Sequence, residues 1–313
     1  NDKKFERILE LLKSVSKKPD FISDDKSFIT SNFSKTNYLR TIEKIQDFIR
    51  RGDTYQTNLT QQLRAKLPRS LTAEEIFRRL RKDNPAPFAA FIKRENDTVV
   101  SISPERFFKI ENNKIRTSPI KGTRKRGTNP QEDEKLKNDL LKSGKDLAEN
   151  TMIVDLLRND LGRVCKFGSI EVEKLCELET HPTFFHLVST VSGELNENVK
   201  FSDVIKAVFP CGSITGAPKI STMKIIDKLE TANRGLSMGA IGFSIQNSNL
   251  RIQNSIDLNV AIRTVVIKDS EAVFNVGGGI VIDSDPENEY EETIVKATAI
   301  FKAINADKND LQN

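Results

Sequence analysis

Two stretches of strand-forming and turn-forming residues constrain the fold of this chain more than any other feature. The first lies between Phe88 and Thr117 and contains the β-prone runs FAAFI, TVVSIS, RFFKI and KIRTS, separated by turn residues such as ENDT and ENNK. The second extends from about Met238 to Ile282. Helix-prone sequence lies between and after them. This order predicts an α+β domain in which the first stretch forms an antiparallel meander.

Helical periodicity predicts three helical segments around these strands. Apolar residues recur at helical spacing from Leu39 to Ile49, behind a cap predicted at Thr36. The charged stretch from Asn129 to Arg158 is helix-prone, and the last helix begins at Pro286 behind Asp285, a favourable pair at a helix start. The expected buried face of this last helix consists of Tyr290, Ile294, Ala297 and Phe301.

Length and composition predict one large domain. The chain has 313 residues and is 37% hydrophobic, which is enough to bury a substantial core, and no repeat, low-complexity tract or linker divides it. We expect a polar, helical segment over residues 1–35 and a domain over residues 36–313. No apolar run approaches the length of a membrane span, and three widely spaced cysteines indicate neither a disulfide framework nor a zinc cage. These observations favour a soluble, cytoplasmic protein.

The charge distribution gives little support for a nucleic-acid partner. The formal net charge of +5 comes from 49 basic and 44 acidic residues spread along the chain, as on a solvated surface. Only the run RTSPIKGTRKRG is locally basic, and the sequence around it lacks aromatic platforms. We expect no nucleic acid and no membrane among the partners, and an RNA-binding domain is the alternative that this run leaves open.

Two acidic pairs are candidates for a metal site. Asp146 with Glu149 and Glu289 with Glu292 are spaced i,i+3 on predicted helices, so each pair shares a helix face. Magnesium prefers oxygen ligands and commonly takes one or two carboxylates together with an anionic group of a substrate. Ordinary exposed acids would give the same pattern, so the pairs alone do not decide between the two interpretations.

Two glycine-rich segments and one arginine are candidates for anion binding. GSITGAPK, from Gly212 to Lys219, opens a helix, and GGG, from Gly277 to Gly279, could present backbone N–H groups. Neither has the spacing of a nucleotide fingerprint, and tight turns would explain both. Arg263, at the end of an apolar stretch, would need a carboxylate partner from the protein or from a ligand.

Three side chains are candidates for catalysis. Lys121 lies in PIKGT amid the cations of the basic run, and neighbouring cations disfavour a charged amine. Glu105 in SPERF is a candidate general acid if its surroundings are dry. His186 in FHLVST could face a site. A surface lysine and a packed, hydrogen-bonded histidine are the simpler alternatives.

Seven segments, in this order, resemble the chorismate-utilising enzymes, the family of anthranilate, aminodeoxychorismate, isochorismate and salicylate synthases. The resemblance extends from about Tyr55 to Ala303. It implies antiparallel β-sheets packed as a sandwich with helices on the outside, here with a shortened N-terminal part. The segments are SPERF, PIKGT, DLAENTMIVDLLRNDLGRV, HLVSTVSGEL, FPCGSITGAPK, AIRT and GGGIVIDSDPENEYEET.

The resemblance implies chorismate as the substrate and Mg²⁺ as the cofactor. Glu149 and Glu292 would bind the metal directly, and Asp146 and Glu289 would hold it through water. The metal would bind the ring carboxylate of chorismate, and Arg263 would bind the enolpyruvyl carboxylate. The implied substrate-binding residues are Arg263, Ser213, Thr215, Gly216, Gly277, Gly278 and Gly279.

Lys121 indicates one branch of the family. The resemblance implies lysine here in covalent aminodeoxychorismate synthases of folate biosynthesis, and alanine in anthranilate synthases. In the implied reaction Lys121 attacks C2 of chorismate, Glu105 protonates the departing C4 hydroxyl, and ammonia enters at C4 and expels the lysine. His186 would position the substrate. No glutaminase nucleophile elbow is recognisable, so a separate glutamine amidotransferase subunit is expected to supply ammonia.

Sibling activities remain open. Anthranilate synthase component I is the nearest alternative, and an isochorismate or salicylate synthase would use water in place of ammonia. A catalytically idle binding subunit is disfavoured by the presence of both acidic pairs, Glu105 and Lys121. The run from Asn84 to Phe88 resembles a tryptophan-contacting segment of the family, but the short N-terminal part gives no reason to expect tryptophan binding.

Overall fold

A computed structural model of the chain describes residues 6–7, 9–10, 25–181, 184–245 and 255–312. Most of the segment predicted over residues 1–35 lies outside the described residues. Within them, every helix falls short of the length or apolar character that a membrane crossing requires.

The first half of the chain alternates short strands and helices. Its elements are β1 (Phe28–Ser31), α1 (Lys35–Arg50), β2 (Gln56–Lys66), α2 (Ala73–Asp83), β3 (Phe88–Lys93), β4 (Thr98–Ser103), β5 (Arg106–Glu111), β6 (Lys114–Thr117), β7 (Ile120–Lys125), α3 (Pro130–Leu141) and α4 (Gly144–Leu161).

The second half contains the longest strands and the last helix. Its elements are β8 (Glu171–Thr180), β9 (Phe184–Glu194), α5 (Phe201–Val208), a 3₁₀ turn (Gly212–Ile214), β10 (Gly216–Ala217), α6 (Lys219–Leu229), β11 (Ala240–Ile245), β12 (Ser255–Val260), β13 (Thr264–Lys268), β14 (Glu271–Ile280), α7 (Pro286–Ala303), a second 3₁₀ turn (Lys308–Asp310) and β15 (Leu311–Gln312).

The described strands form two sheets, and the α+β class with antiparallel sheets and helices is confirmed. The first sheet has the order β15-β1-β2-β14-β13-β4-β3, with β10 attached to β2, and all its pairs are antiparallel except β1 with β15. The second sheet has the order β11-β12-β5-β6-β9-β7, with β8 attached to β9. The strand β1 lies before residue 36, where the domain was predicted to begin, and it pairs with β2 inside the first sheet.

The predicted meander is divided between the two sheets. Its strands β3 and β4 pair in the first sheet, and β5 and β6 pair in the second. The chain changes sheet between Ser103 and Arg106, where the Ser103 hydroxyl donates to the carbonyl of Val260 on β12 at 2.6 Å. Glu105 lies in this short crossing, so the change of sheet sets its position.

Each sheet packs its own helices against one face. The first core lies between the first sheet and α1, α2 and α7, with Ile42, Leu63 and Phe274 fully buried. The second lies between the second sheet and α4 and α5, where Ile153 and Ile115 are fully buried. Burial of these aliphatic and aromatic side chains supplies the main stabilisation of the fold.

Local helix signals were partly right. The helix α7 begins behind the Asp285 cap and buries the four residues expected of it. The cap of α1 is Ser34, which has an extended backbone and accepts from the amide of Asn37, so the prediction of Thr36 as the cap is wrong. The helix-prone stretch from Asn129 is two helices, because Ser143 caps a new helix after a break at Lys142.

The cap at Asp285 gives a stability prediction, because its carboxylate accepts from the amide of Asn288 at 2.9 Å. Asp285→Ala is expected to lower the free energy of unfolding by about 1 kcal/mol, measured by urea denaturation. Asp283→Ala, in the exposed turn just before the helix, is the control and should change it by less than about 0.5 kcal/mol. Equal effects of the two substitutions would contradict the capping role.

Candidate active site

The glycine run is part of a strand and presents backbone amides at its open edge. Gly278 is paired with Leu59 on β2, where Asn58 and Thr60 point their N–H groups away from β14, to the Thr215 carbonyl and the Glu230 carboxylate. The N–H groups of successive residues in a strand point to opposite sides. At this point of β14, Gly278 therefore makes the backbone hydrogen bonds to β2. The N–H groups of residues 277 and 279 therefore point away from β2, toward the other edge of β14. The strand β13 covers that edge only as far as residue 273. This arrangement refines the prediction that all three amides bind an anion.

Arg263 lies at the start of β13, beside this edge. Its backbone is left-handed, with φ of 49°, and its carbonyl accepts from the amide of Ile102 at 3.1 Å. Although the side chain remains accessible to solvent, surrounding protein lowers the pKa of the guanidinium, and Glu105 acts in the opposite direction. Among the described residues, its guanidinium has no hydrogen bond or ion pair. An anionic ligand would supply the partner that the sequence predicted.

The segment from Cys211 to Ala217 forms a buried wall beside β2. Ser213 and Thr215 are buried, and Gly216 pairs with Thr57. Gly216 has φ of 138°, and a Cβ there would lie 2.0 Å from the carbonyl oxygen of Gln56. Only glycine permits this approach. The predicted loop residues are therefore brought next to β2, but as a packed wall rather than as an exposed turn.

Glu105 is buried, and its Oε1 atom has no hydrogen-bond partner among the described residues. Burial raises the pKa of this carboxyl above its ordinary value. The Ser213 hydroxyl, the charge of Lys121, the backbone amide of Ile120 and the charge of Arg263 lower the pKa without offsetting burial. Glu105 therefore lies within electrostatic reach of both the nucleophile candidate Lys121 and Arg263. A carboxyl that keeps its proton to higher pH can serve as a general acid.

Lys121, Gln56 and Glu149 form a buried hydrogen-bonded group. Glu149 Oε1 accepts from Lys121 Nζ at 2.6 Å and from Gln56 Nε2 at 2.5 Å. Burial favours a raised pKa for Glu149, but the charge and hydrogen bond of Lys121 and the hydrogen bond of Gln56 outweigh it and lower the pKa. Gly279 makes room for the contact, since a Cβ there would lie 2.0 Å from Gln56 Nε2.

The other cations of the basic run turn away from Lys121. Arg116 pairs with Glu173 at 3.0 Å, and Arg126 pairs with Asp133 at 2.6 Å. The expectation that cations crowd the lysine is therefore wrong. The nearest charged group to its amine is the Glu149 carboxylate.

The predicted acidic residues lie on α4 and α7 and approach the glycine run. Glu149 Oε1 is 3.1 Å from the position of a Cβ on Gly279, and Glu289 Oε2 is 3.2 Å from that of a Cβ on Gly278. Lys145, one turn before Glu149 on α4, has its Nζ 3.7 Å from Glu289 Oε1, so an ion pair connects the two helices here. Burial raises the pKa of Glu289, the Ser284 hydroxyl lowers it, and Glu292 raises it further.

These acids fit a hard divalent cation in donor type. They supply oxygen ligands only, as magnesium requires, and the glycine run leaves space beside two of them. Within the described ranges, no three His, Cys, Asp or Glu side chains already form a metal-ligand cluster. Glu292 pairs with Lys296 at 2.7 Å and Asp146 pairs with Arg124 at 2.8 Å, so both of these carboxylates already have a cationic partner in the protein.

His186 lies on β9 opposite Thr123, and its Nδ1 is 2.9 Å from the Thr123 hydroxyl. Burial lowers the pKa of this imidazole to about 4, with further lowering by His181 and Arg263. The ring is therefore neutral near pH 7. A neutral, hydrogen-bonded imidazole suits positioning better than proton donation.

Gln56 is the site residue that sequence reasoning missed. It is 2% exposed, and its Oε1 atom is buried without a partner among the described residues. A glutamine in a strand carries no catalytic signature, but the strand QTNLTQQLRAK contains several polar residues that the structure buries. A run of polar residues in a strand paired on both sides is a signal of a polar cavity.

Residues 2–302 match the family model described as chorismate binding enzyme. The chain belongs to this family.

Its similarity to relatives of two different activities is nearly equal. It is 44% identical over 283 residues to the probable chloroplastic aminodeoxychorismate synthase of Oryza sativa subsp. japonica, which covers 90% of this chain and 31% of that protein. It is 41% identical over 299 residues to anthranilate synthase component 1 of Aquifex aeolicus, which covers 96% of this chain and 58% of that protein.

A solved relative confirms the fold. The structure of anthranilate synthase component I from Streptococcus pneumoniae TIGR4 has a TM-score of 0.81 and 33% identity to this chorismate-binding chain, over 96% of this chain and 65% of that one. The chain thus spans less than two thirds of the length of each of these relatives. The shared family is shown, and the choice between activities rests on the site itself.

The raised pKa of Glu105 gives a prediction about stability and pH. The folded protein keeps this proton at pH values where the unfolded chain has lost it, so the free energy of unfolding falls as pH rises through the raised pKa. Glu105→Gln removes this loss, and we expect the variant to gain stability relative to the parent as the pH is raised above the ordinary pKa of a glutamate carboxyl, measured by urea denaturation. Glu95→Gln, at an exposed position, is the control. A Glu105→Gln difference that is constant with pH would contradict the assignment.

Proposed function

We propose that this chain aminates chorismate at C4 to give 4-amino-4-deoxychorismate, as the aminating part of a 4-amino-4-deoxychorismate synthase in para-aminobenzoate and folate biosynthesis. One observation carries the proposal: Lys121, whose side chain is 12% exposed, and the unpaired Arg263 both act electrostatically on the buried Glu105 carboxyl. A shielded amine next to a proton donor is the arrangement that covalent amination requires.

The residues present suit the two carboxylates of chorismate. Arg263 and the amides of Gly277 and Gly279 would bind the enolpyruvyl carboxylate, and Ser213 and Thr215 would line the ring. Glu149 and Glu292 would hold Mg²⁺, with Asp146 and Glu289 through water. Bound there, the metal would polarise the ring carboxylate.

The covalent sequence uses Lys121 twice. The neutral amine attacks C2, the electron pairs shift through the ring diene, and the C4–O bond breaks while Glu105 gives its proton to the departing hydroxyl, which leaves as water. Ammonia then attacks C4, the electron pairs return, and the bond between C2 and Lys121 breaks to release the lysine amine. The new ammonium group at C4 loses one proton, which returns to Glu105. The enolpyruvyl group stays on the product. His186, neutral and held by Thr123, positions the ring.

Ammonia is proposed to come from a glutamine amidotransferase partner. The test incubates the chain with chorismate, Mg²⁺ and an ammonium salt and identifies products by liquid chromatography and mass spectrometry. We expect 4-amino-4-deoxychorismate with the ammonium salt and none with glutamine alone. Glu105→Gln is expected to slow its formation by roughly 10²-fold, because the leaving group loses its proton donor.

Other outcomes identify the sibling activities. Anthranilate as the main product would replace the proposal with anthranilate synthase, which the 41% identity to the Aquifex aeolicus protein makes the second candidate. Isochorismate or salicylate formed without ammonia would indicate water as the nucleophile. Glutamine-dependent product from the purified chain alone would contradict the need for a partner.

A further inference from the structure

Every acidic residue of the proposed cation site is paired with a cation of the protein. Three of the four pairs join different segments of the chain, and Lys296 to Glu292 is an i,i+4 pair on α7. The pairs are Asp146 with Arg124 at 2.8 Å, Glu149 with Lys121 at 2.6 Å, Glu289 with Lys145 at 3.7 Å and Glu292 with Lys296 at 2.7 Å. The site therefore carries its own counter-ions.

The pair of Lys121 and Glu149 differs from the others in being shielded on both sides. The side chains are 12% and 17% exposed, whereas Lys145 and Lys296 are 59% and 40% exposed. Gln56 fixes the same carboxylate oxygen, Oε1, so Glu149 cannot turn away from the lysine without losing two hydrogen bonds. A shielded pair of this kind is screened little by solvent.

A divalent cation on Glu149 would lie close to the ammonium group of Lys121. The two positive charges would repel each other in a shielded place, and both are attracted to the same carboxylate. The ammonium group of Lys121 therefore weakens the binding of the cation to Glu149. By linkage, the effect is reciprocal, so cation binding weakens the hold of Glu149 on the lysine.

We propose that Lys121 is the resident counter-ion of Glu149 and that a divalent cation competes with it, so that binding of the cation frees the Lys121 side chain from Glu149. This inference rests on the proposed cation site and deepens the proposed function. The nucleophile is held by Glu149 until the site is loaded with metal. Attack on a substrate is thereby coupled to the presence of Mg²⁺.

The first test measures Mg²⁺ affinity by isothermal titration calorimetry, without chorismate or ammonia, for the parent, Lys121→Met and Lys121→Arg. Removal of the competing charge in Lys121→Met is expected to tighten Mg²⁺ binding by about fivefold or more. Lys121→Arg keeps a positive charge and should bind Mg²⁺ like the parent. Equal or weaker binding by Lys121→Met, or no binding by any of the three proteins, would overturn the proposal.

The second test follows the amine itself in the parent protein. Lysines are acetylated by a short pulse of acetic anhydride with and without Mg²⁺, and the extent at each lysine is read by mass spectrometry after proteolysis. Lys121 is expected to react about fivefold faster with Mg²⁺. Lys219 is the internal control, because it is 11% exposed and pairs with Asp160, outside the proposed site.

The outcomes separate this proposal from the proposed function. A Lys121 rate that stays the same or falls with Mg²⁺, or a rise that Lys219 shares, would contradict competition at Glu149. In Glu149→Gln the Lys121 rate should be high and independent of Mg²⁺. Neither test contains chorismate, so a different product in the amination assay would leave both results unchanged.

Discussion

The site depends on one carboxylate, that of Glu149, because it joins three elements of the fold at the candidate active site. It lies on α4, accepts from Gln56 on β2 of the first sheet, and accepts from Lys121 on β7 of the second. These two bonds end on the same oxygen and fix the distance between the sheets at this point. Displacement of any of the three elements would break one of them.

The charged and polar groups of the candidate active site divide into those that have an ion-pair or hydrogen-bond partner in the protein and those that have none among the described residues. The acids of the proposed cation site are balanced by four cations, which limits the cost of burying them. Arg263 and the Oε1 atom of Glu105 have no such partner among the described residues. The buried Glu105 oxygen costs stability because it is unsatisfied, and proteins accept such a cost most often where a ligand binds. A small molecule with two carboxylates and a leaving hydroxyl would complete the groups that the protein leaves open.

Sequence reasoning was most successful where the determinants are local. Strand alternation from Phe88 to Thr117 predicted four strands, and the Asp285–Pro286 pair predicted the start of the last helix. The i,i+3 spacing of the acids placed each pair on one helix. The division of the meander between two sheets was not predictable, because alternation defines neighbouring strands but not the sheet that each hairpin joins.

The features of the site that could not be predicted from the sequence are contacts between residues that are far apart in the chain. The sequence around Lys121 contains several cations, which suggested that they lie close to its amine. In the structure, successive strand residues face opposite sides of the sheet, and the three arginines pair with three different acids. Gln56 carries no motif, and its role follows only from its place opposite Glu149. Overall similarity says little about the reaction, since relatives of both activities match this chain at nearly the same identity.

The central claim is that Lys121 forms a covalent bond to the substrate, and intact-mass analysis tests it most directly. The parent and Lys121→Ala are each incubated with chorismate and Mg²⁺ without ammonia, and the protein mass is then measured. The account predicts an adduct of chorismate less one water on the parent and no adduct on Lys121→Ala. An adduct on neither protein, or on both, would contradict it.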